Sequence, residues 1–309
     1  MSDMQQPTAT ISENLRALSE RVSRQQEKAL AFLAELGTAD GALLCMREGE
    51  AAPILRTLCP SLPPTEPHTS HLAEHRTMLS LALSCGTEAL LPAYVSAMIR
   101  TCREGGAELT LSDFLPISRA QSARVAYMKN PYADEAYEAL CTSLPSPTAG
   151  YTDSYRAACE EVAAGEADFC ILPYENASGY LSTTDALIER YALCRTDSCR
   201  VFHAEGTDVT HYALYGRVFL AQDAEATCTL DYRFPYTEED VPARHHAAMS
   251  AFSVKAKRIR AEESEEEANP MRAFVTASVP KKTLLPFLTY LTIFVRGCVV
   301  CGLHKEKEL

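Results

Sequence analysis

The sequence lacks what several large classes of protein require. Glycine is scarce, 13 of 309 residues, which excludes a collagen-like repeat, and no heptad pattern runs far. No apolar run reaches the ~20 residues of a bilayer span. The longest, Leu284 to Val300, is broken by Pro286, two threonines and Arg296. Basic residues are outnumbered, 29 against 41 acidic, and the net charge of −12 argues against nucleic acid and anionic membrane as partners. The opening Met-Ser-Asp-Met-Gln-Gln-Pro has neither the basic nor the apolar segment of an export signal, so the expected location is cytoplasmic. In that reducing compartment the 12 cysteines are free thiols, and Cys159, Cys170 and Cys228 read as small core residues. Cys298 and Cys301 have redox-motif spacing, yet in a strand they point to opposite faces. His245 and His246, with His203 and His211 elsewhere, lack ligand spacing, so neither a metal nor a cofactor is expected.

What is present is an apolar fraction of 47%, enough for packed cores, and length for two domains of ~150 residues or three smaller ones. Residues 1–10 read as a flexible tail. Thr10, with Glu13 as its capping-box partner, starts a helix whose Ile11, Leu15, Leu18, Val22, Ala29, Leu33 and Leu36 keep a helical period up to Gly37. Residues 40–58, 70–83 and 92–104 read as further helices, which makes 11–116 a helical bundle. The pattern then changes: a strand over 124–128, a helix over 133–144, a turn over 143–150, and a helix over 153–164 stopped by Gly165. A buried strand over 169–172 runs into a loop over 173–179. Strands alternating with helices predict an α/β layer with a parallel sheet. Ligands of such sheets sit at the carboxyl ends of the strands, where Glu175 and Asn176 fall. Residues 225–309 read as strand, helix, strand, strand, helix, strand, the βαββαβ order of ferredoxin-like domains.

Gly165-Glu-Ala-Asp-Phe-Cys-Ile-Leu-Pro-Tyr-Glu-Asn-Ala-Ser-Gly179 resembles the signature of prephenate dehydratases. Asp208-Val-Thr-His-Tyr-Ala-Leu-Tyr-Gly-Arg217 resembles that family's closing strand, whose threonine is catalytic. The flanks agree. Leu15–Val22 and Leu91–Arg100 resemble the opening and closing helices of helical chorismate mutases, and Arg258–Ser264 resembles a strand of ACT regulatory domains. The whole is therefore similar to the bifunctional chorismate mutase/prephenate dehydratase (P-protein) family of phenylalanine biosynthesis, in the order mutase, dehydratase (122–221), ACT (225–309).

The resemblance implies Thr210 as catalytic residue with His211 in place of the family's arginine, and Glu175, Asn176, Ser178 and Lys129 as substrate-binding residues. It implies a mutase-like cationic patch of Arg16, Lys28 and Arg76, and Glu263 and Ser264 at a regulatory ligand site. The implied partner is an aromatic metabolite (prephenate, chorismate or phenylalanine), and the implied assembly a homo-oligomer through the ACT-like segment. The chain also departs from the family. Only ~30 residues separate Gly179 from Thr210, room for about one helix and one extended segment, so a single-lobe α/β layer is expected where the family has two lobes. The loop that should offer backbone N–H groups to an anionic substrate reads Lys129-Asn-Pro-Tyr-Ala133. Two functions follow: a dehydratase-type lyase acting through Thr210, or a non-catalytic protein that binds an aromatic metabolite on the same modules.

Overall fold

The computed structural model describes residues 6–45, 55–56, 79, 88–118, 123–203, 208–220, 227–236, 241–263 and 271–307. It is a mixed α/β structure. Helix α1 (Gln6–Cys45) packs its C-terminal third on α2 (Leu91–Glu104). After a short strand β1 (Ile117–Ser118) come β2 (Ala123–Met128), α3 (Pro131–Leu140), β3 (Pro147–Thr152), α4 (Tyr155–Ala164), β4 (Phe169–Asn176), β5 (Gly179–Tyr180), α5 (Ser182–Arg190), β6 (Cys194–Phe202), β7 (Val209–Gly216) and β8 (Phe219–Leu220). The chain ends in β9 (Thr227–Tyr236), α6 (Val241–Ala251), β10 (Lys255–Glu263), β11 (Met271–Pro280), α7 (Lys281–Phe294), β12 (Val299–His304) and β13 (Glu306–Lys307).

Eleven strands make one sheet in the order β10-β11-β9-β12-β6-β7-β4-β2-β3, with β13 on β6 and β5 on β4; β1 and β8 form a separate pair. The sheet is not the parallel one that strand–helix alternation suggests. Only β2–β3, β2–β4 and the contacts of β6 with β12 and β13 are parallel, because β7 returns antiparallel between β4 and β6. Between Gly179 and Thr210 the chain holds β5, α5 and β6, all attached to this same sheet. The last four long strands pair β10-β11-β9-β12, all antiparallel, which is the split βαβ arrangement.

Local reasons account for most elements. Asn130 caps α3 through Ala133 N–H, with Pro131 as its first residue, and Ser154 caps α4 through Ala157 N–H. Gly165 ends α4 in the left-handed conformation (φ 78°) that a side chain would strain. Three expectations give way. Pro147-Thr-Ala-Gly-Tyr-Thr152, read as part of a turn, is strand β3; it lies at the sheet edge, where a leading proline costs no ladder bond. Glu175 and Asn176, read as loop, end strand β4 and turn into β5. The N-terminal helix begins at Gln6 rather than Thr10, so residues 6–10 are not tail, and it passes through Gly37 without stopping. Gly37 is there for packing: a Cβ would run into the Tyr94 backbone of α2, and at Gly41 one would lie 2.6 Å from the Met98 carbonyl oxygen. The apolar stripe of α1 is buried at Leu33 and Leu36 but exposed at Leu18 and Val22. The expected helix over 70–83 lies outside the described residues, apart from buried Leu79.

The largest core joins the two ends of the chain. Leu33, Leu44, Tyr94 and Met98 of the N-terminal helices share one cluster with Tyr232, Phe234, Val275, Phe287 and Leu291. Tyr94 meets Phe294 edge-on at 5.5 Å. Two smaller clusters lie on opposite faces of β2, β4 and β7, one with α3 and one with α4 and α5. The polar face of β9–β11 receives α5 through ion pairs: Glu189 to Arg233 (3.1 Å) and Arg272 (2.8 Å), and Asp185 to Arg260 (3.1 Å).

Candidate functional site

The seam between β6 and β12 is thin in backbone terms, with one bridging pair, Gly302 opposite Arg195. Side chains hold it instead. Arg195 Nη1 lies 3.2 Å from Asp231 Oδ2, and Nη2 donates to the Tyr180 hydroxyl at 2.7 Å. The guanidinium stacks on the Tyr174 ring, 3.9 Å from its centroid. Asp231 also accepts from Thr276 Oγ1 (2.7 Å) and from His304 Nε2 (2.9 Å). Burial alone would raise the Asp231 carboxyl, but Arg195 and His304 outweigh it and hold the group ionised, well below the usual carboxylate range. On the other side of the ring, His304 Nδ1 lies 3.1 Å from the Ser198 hydroxyl.

Ser198, His304 and Asp231 thus have the composition of a nucleophilic triad. They do not have its accessibility. Ser198 is fully buried, its hydroxyl also lies 3.3 Å from the Lys305 carbonyl, and Asp231 is already matched by Arg195. The three tie β6, β12 and β9 together.

Beside the seam opens a cleft of about 460 Å³. Strands β4 to β7 supply Tyr174, Glu175, Tyr180, Arg195, Arg200, Phe202 and His211; β9 to β12 supply Thr229, Lys257, Arg258, Thr276 and His304. Register shifts fall on four of the strands that build this region: at Tyr174, Thr196, Lys257 and Cys301. A bulge sets two residues against one and re-aims a side chain. The bulge at Lys257 is why Lys257 and Arg258, neighbours in sequence, both line the cleft. Lys257 Nζ donates to Thr229 Oγ1 at 3.0 Å, and Arg258 Nη2 to Glu175 Oε1 at 2.6 Å. Among the described residues lining it, Glu175 is the one carboxylate beside four cationic side chains, Arg195, Arg200, Lys257 and Arg258; Arg258 pairs with Glu175 and Arg195 with Asp231 behind the wall, which leaves the wall positive within a chain of net charge −12.

The residues singled out from sequence scatter around this cleft. Glu175 and His211 are cross-strand partners and line it; His211 Nδ1 is 3.5 Å from the Tyr174 hydroxyl. Thr210 does not. Neighbours in a strand face opposite ways, and Thr210 turns to the α3 side, where its hydroxyl sits 2.9 Å from His203 Nε2 and Tyr132 stacks on that imidazole at 4.1 Å. Asn176 Oδ1 accepts from the Ser178 backbone N–H (2.9 Å), closing the β4–β5 turn. Lys129 lies over the Tyr151 ring, 4.5 Å from its centroid, beyond the end of β2. Arg16 and Lys28 are exposed on α1, and 12 residues at ~1.5 Å rise put them about 18 Å apart, so they form no joint patch. Glu263 ends β10 opposite Met271. Arg76 and Ser264 lie outside the described residues.

The remaining motifs sit in packed surroundings. His245 lies between two hydroxyls, Nε2 2.6 Å from Tyr232 and Nδ1 3.0 Å from Tyr290, and burial lowers it to about 4, with His246 adding to the shift. Burial pushes the Cys301 thiol up to about 12 and Cys298 higher still, so neither is a ready thiolate. Among the described residues no group of three His, Cys, Asp or Glu side chains is placed to hold a metal, and no helix is long and apolar enough to cross a membrane.

No family model matches the sequence, and no curated protein matches it. Solved structures to which part of the chain is similar include a quorum-quenching acylase, GqqA (TM-score 0.47, 15% identity, covering 60% of this chain and 95% of that one). They also include the prephenate dehydratase of Streptococcus mutans (0.45, 13%, 60% and 98%) and that of Arthrobacter aurescens in complex with L-Phe (0.44, 10%, 59% and 89%). Likeness at this level assigns no activity and no residue role to the chain.

Proposed function

We propose that this chain is a divergent relative of the P-protein family that binds a small aromatic carboxylate in the β6–β12 cleft without dehydrating it. The observation that carries the reading is the wall itself: four cationic side chains and the rings of Tyr174, Tyr180 and Phe202 around about 460 Å³, in an otherwise acidic protein. Cations answer a carboxylate, and ring faces answer a ring. Against catalysis stands the placement of Thr210 and His211 on opposite faces of β7, where no one substrate reaches both. Dehydration with decarboxylation also needs a proton donor in a dry pocket that grips two anions, and the short 179–210 segment supplies no covering lobe.

Calorimetric titration with prephenate, phenylpyruvate and L-Phe, alongside turnover assays with prephenate and chorismate, tests this. Expected are saturable binding of at least one of these acids, weaker binding by Arg200→Gln, and no turnover. Prephenate turnover that disappears in Thr210→Val establishes the dehydratase instead.

A further inference from the structure

The cleft opens at the far ends of β6 and β12, around Phe202 and His304. These two strands run parallel. Around their starts lies a second cavity, of about 520 Å³, which shares no described lining residue with the first. Its wall is of a different kind. Phe114 and Pro116, from the segment leading to β1, and Val299 and Val300 of β12 show apolar surface to it, Val299 being 48% exposed. Phe219 of β8 and Leu291 of α7, both buried, close it behind. Among the described lining residues charge enters at two points, Arg56 and Arg296, and both are exposed. The turn at Gly297 (φ 67°) carries the chain from α7 into β12 and sets Arg296 beside the cavity. Burial pushes the Cys298 thiol in the wall up, Cys301 adds to the shift, and the Arg56 guanidinium pulls the other way, so its charge is felt at the wall. Neither arginine has an ion pair or a hydrogen bond among the described residues, and no described carboxylate lines the cavity. In a chain with 41 acidic residues against 29 basic ones, two unmatched cations beside one apolar cavity leave room for an anion from outside.

We propose that this cavity binds a single-chain aliphatic carboxylate, its tail on the Phe114, Pro116, Val299 and Val300 wall and its head at Arg56 and Arg296. The proposal stands apart from the cleft reading above, since the two sites have no described residue in common. The volume is within the usual range for a small ligand, roughly 300–1,000 Å³. The chemistry of the wall selects the class. Thr292 is the one hydroxyl among the described lining residues, and it already donates to the Leu288 carbonyl at 2.8 Å. Those side chains therefore offer neither a free hydroxyl nor an amide to fix a sugar or a base. A polar head is left with the guanidinium groups, which match a carboxylate in geometry and charge. A free acid fits better than an anionic membrane surface, because two arginines give little hold on such a surface to a protein of net charge −12.

Hexanoate, octanoate, decanoate and 1-octanol are titrated calorimetrically into the full chain, into the double variant Arg56→Gln/Arg296→Gln, and into Arg200→Gln of the cleft. Arg56 and Arg296 are exposed, so the double variant leaves the core intact. The wild type is expected to bind one acid per chain, ~4-fold more tightly for each added methylene, and to prefer octanoate to 1-octanol. The double variant is expected to bind octanoate ~10-fold more weakly, as the loss of two exposed charge pairs implies, and 1-octanol as the wild type does. Arg200→Gln is expected to bind octanoate like the wild type. No saturable binding, an affinity indifferent to chain length, or a double variant as tight for octanoate as the wild type overturns the proposal. So does octanoate affinity lost in Arg200→Gln, which places the acid in the β6–β12 cleft instead.

Discussion

At the scale of single residues, chemistry and burial pull against each other most clearly at His245. It is held neutral between Tyr232 and Tyr290, and burial lowers it to about 4. An unfolded histidine titrates near 6.5. Below that pH the unfolded chain takes up a proton that the folded chain refuses, so stability is full above ~6.5 and is lost as pH falls toward 4. The shift corresponds to about 3 kcal/mol at the low end of that window. In urea denaturation at pH 7, 6 and 5 the wild type is expected to lose stability steeply, and His245→Phe to show a shallower slope. Equal slopes would mean that His245 titrates normally. The histidine pair lacks ligand spacing in the sequence, and nothing local marks this pocket, because Tyr232 and Tyr290 arrive from 13 and 45 residues away. The same holds for Arg195 and Asp231. Nothing local marks Arg195 beyond an arginine in a polar strand, and its partner lies in a different strand. Glu175 and His211 stand inside the sequence segments singled out above, and the fold places both on the cleft.

At the scale of elements, α1 and α2 show a rule of propensity reversed. Replacing a helical glycine with alanine ordinarily stabilises by about 1 kcal/mol. At Gly41 the added Cβ would sit 2.6 Å from the Met98 carbonyl oxygen, and backbone cannot yield as a flexible side chain does. Gly41→Ala is therefore expected to destabilise, by roughly 1–3 kcal/mol as overpacking does, visible as a lower thermal midpoint. A rise would show that the helices can part at no cost. The expected stop at Gly37 failed for the same reason: a glycine that ends a helix and one that admits a neighbouring helix look alike until the neighbour is known. The C-terminal strands and helices were legible almost to their ends, since period-2 runs such as Met271–Val279 carry their face pattern locally. Strand β3 was not, because Pro147, Ala149 and Gly150 are weak strand formers and pairing with β2 decides their state.

At the scale of the whole molecule, the sheet ends in β10 on one side and β3 on the other, and among the described residues no further strand pairs with either edge in a single copy. Open edges invite pairing unless charge or twist blunts them. We expect two copies to join through the C-terminal strands; multi-angle light scattering at micromolar concentration should give twice the 33.9 kDa chain mass. A monomer at that concentration would overturn this pairing. The βαββαβ order of the last strands and helices was readable from sequence, but their union with the preceding strands in one sheet was not. It depends on β12 and β13 lying beside β6, a contact between segments about a hundred residues apart.

That placement has a consequence for how the molecule comes into being. Synthesis runs from the N-terminus, and folding units close as their residues emerge. Strands β2, β3, β4, β6 and β7 with their helices are available early, and so is one wall of the cleft. The flank that carries His304 cannot form until β12 and β13 have been made, and the strand they flank, β6, waits unpaired on that side meanwhile. During translation the nascent chain therefore exposes an unmatched strand edge and a buried-type arginine without its aspartate. Among the described elements, the β6–β12 cleft is the last to be completed.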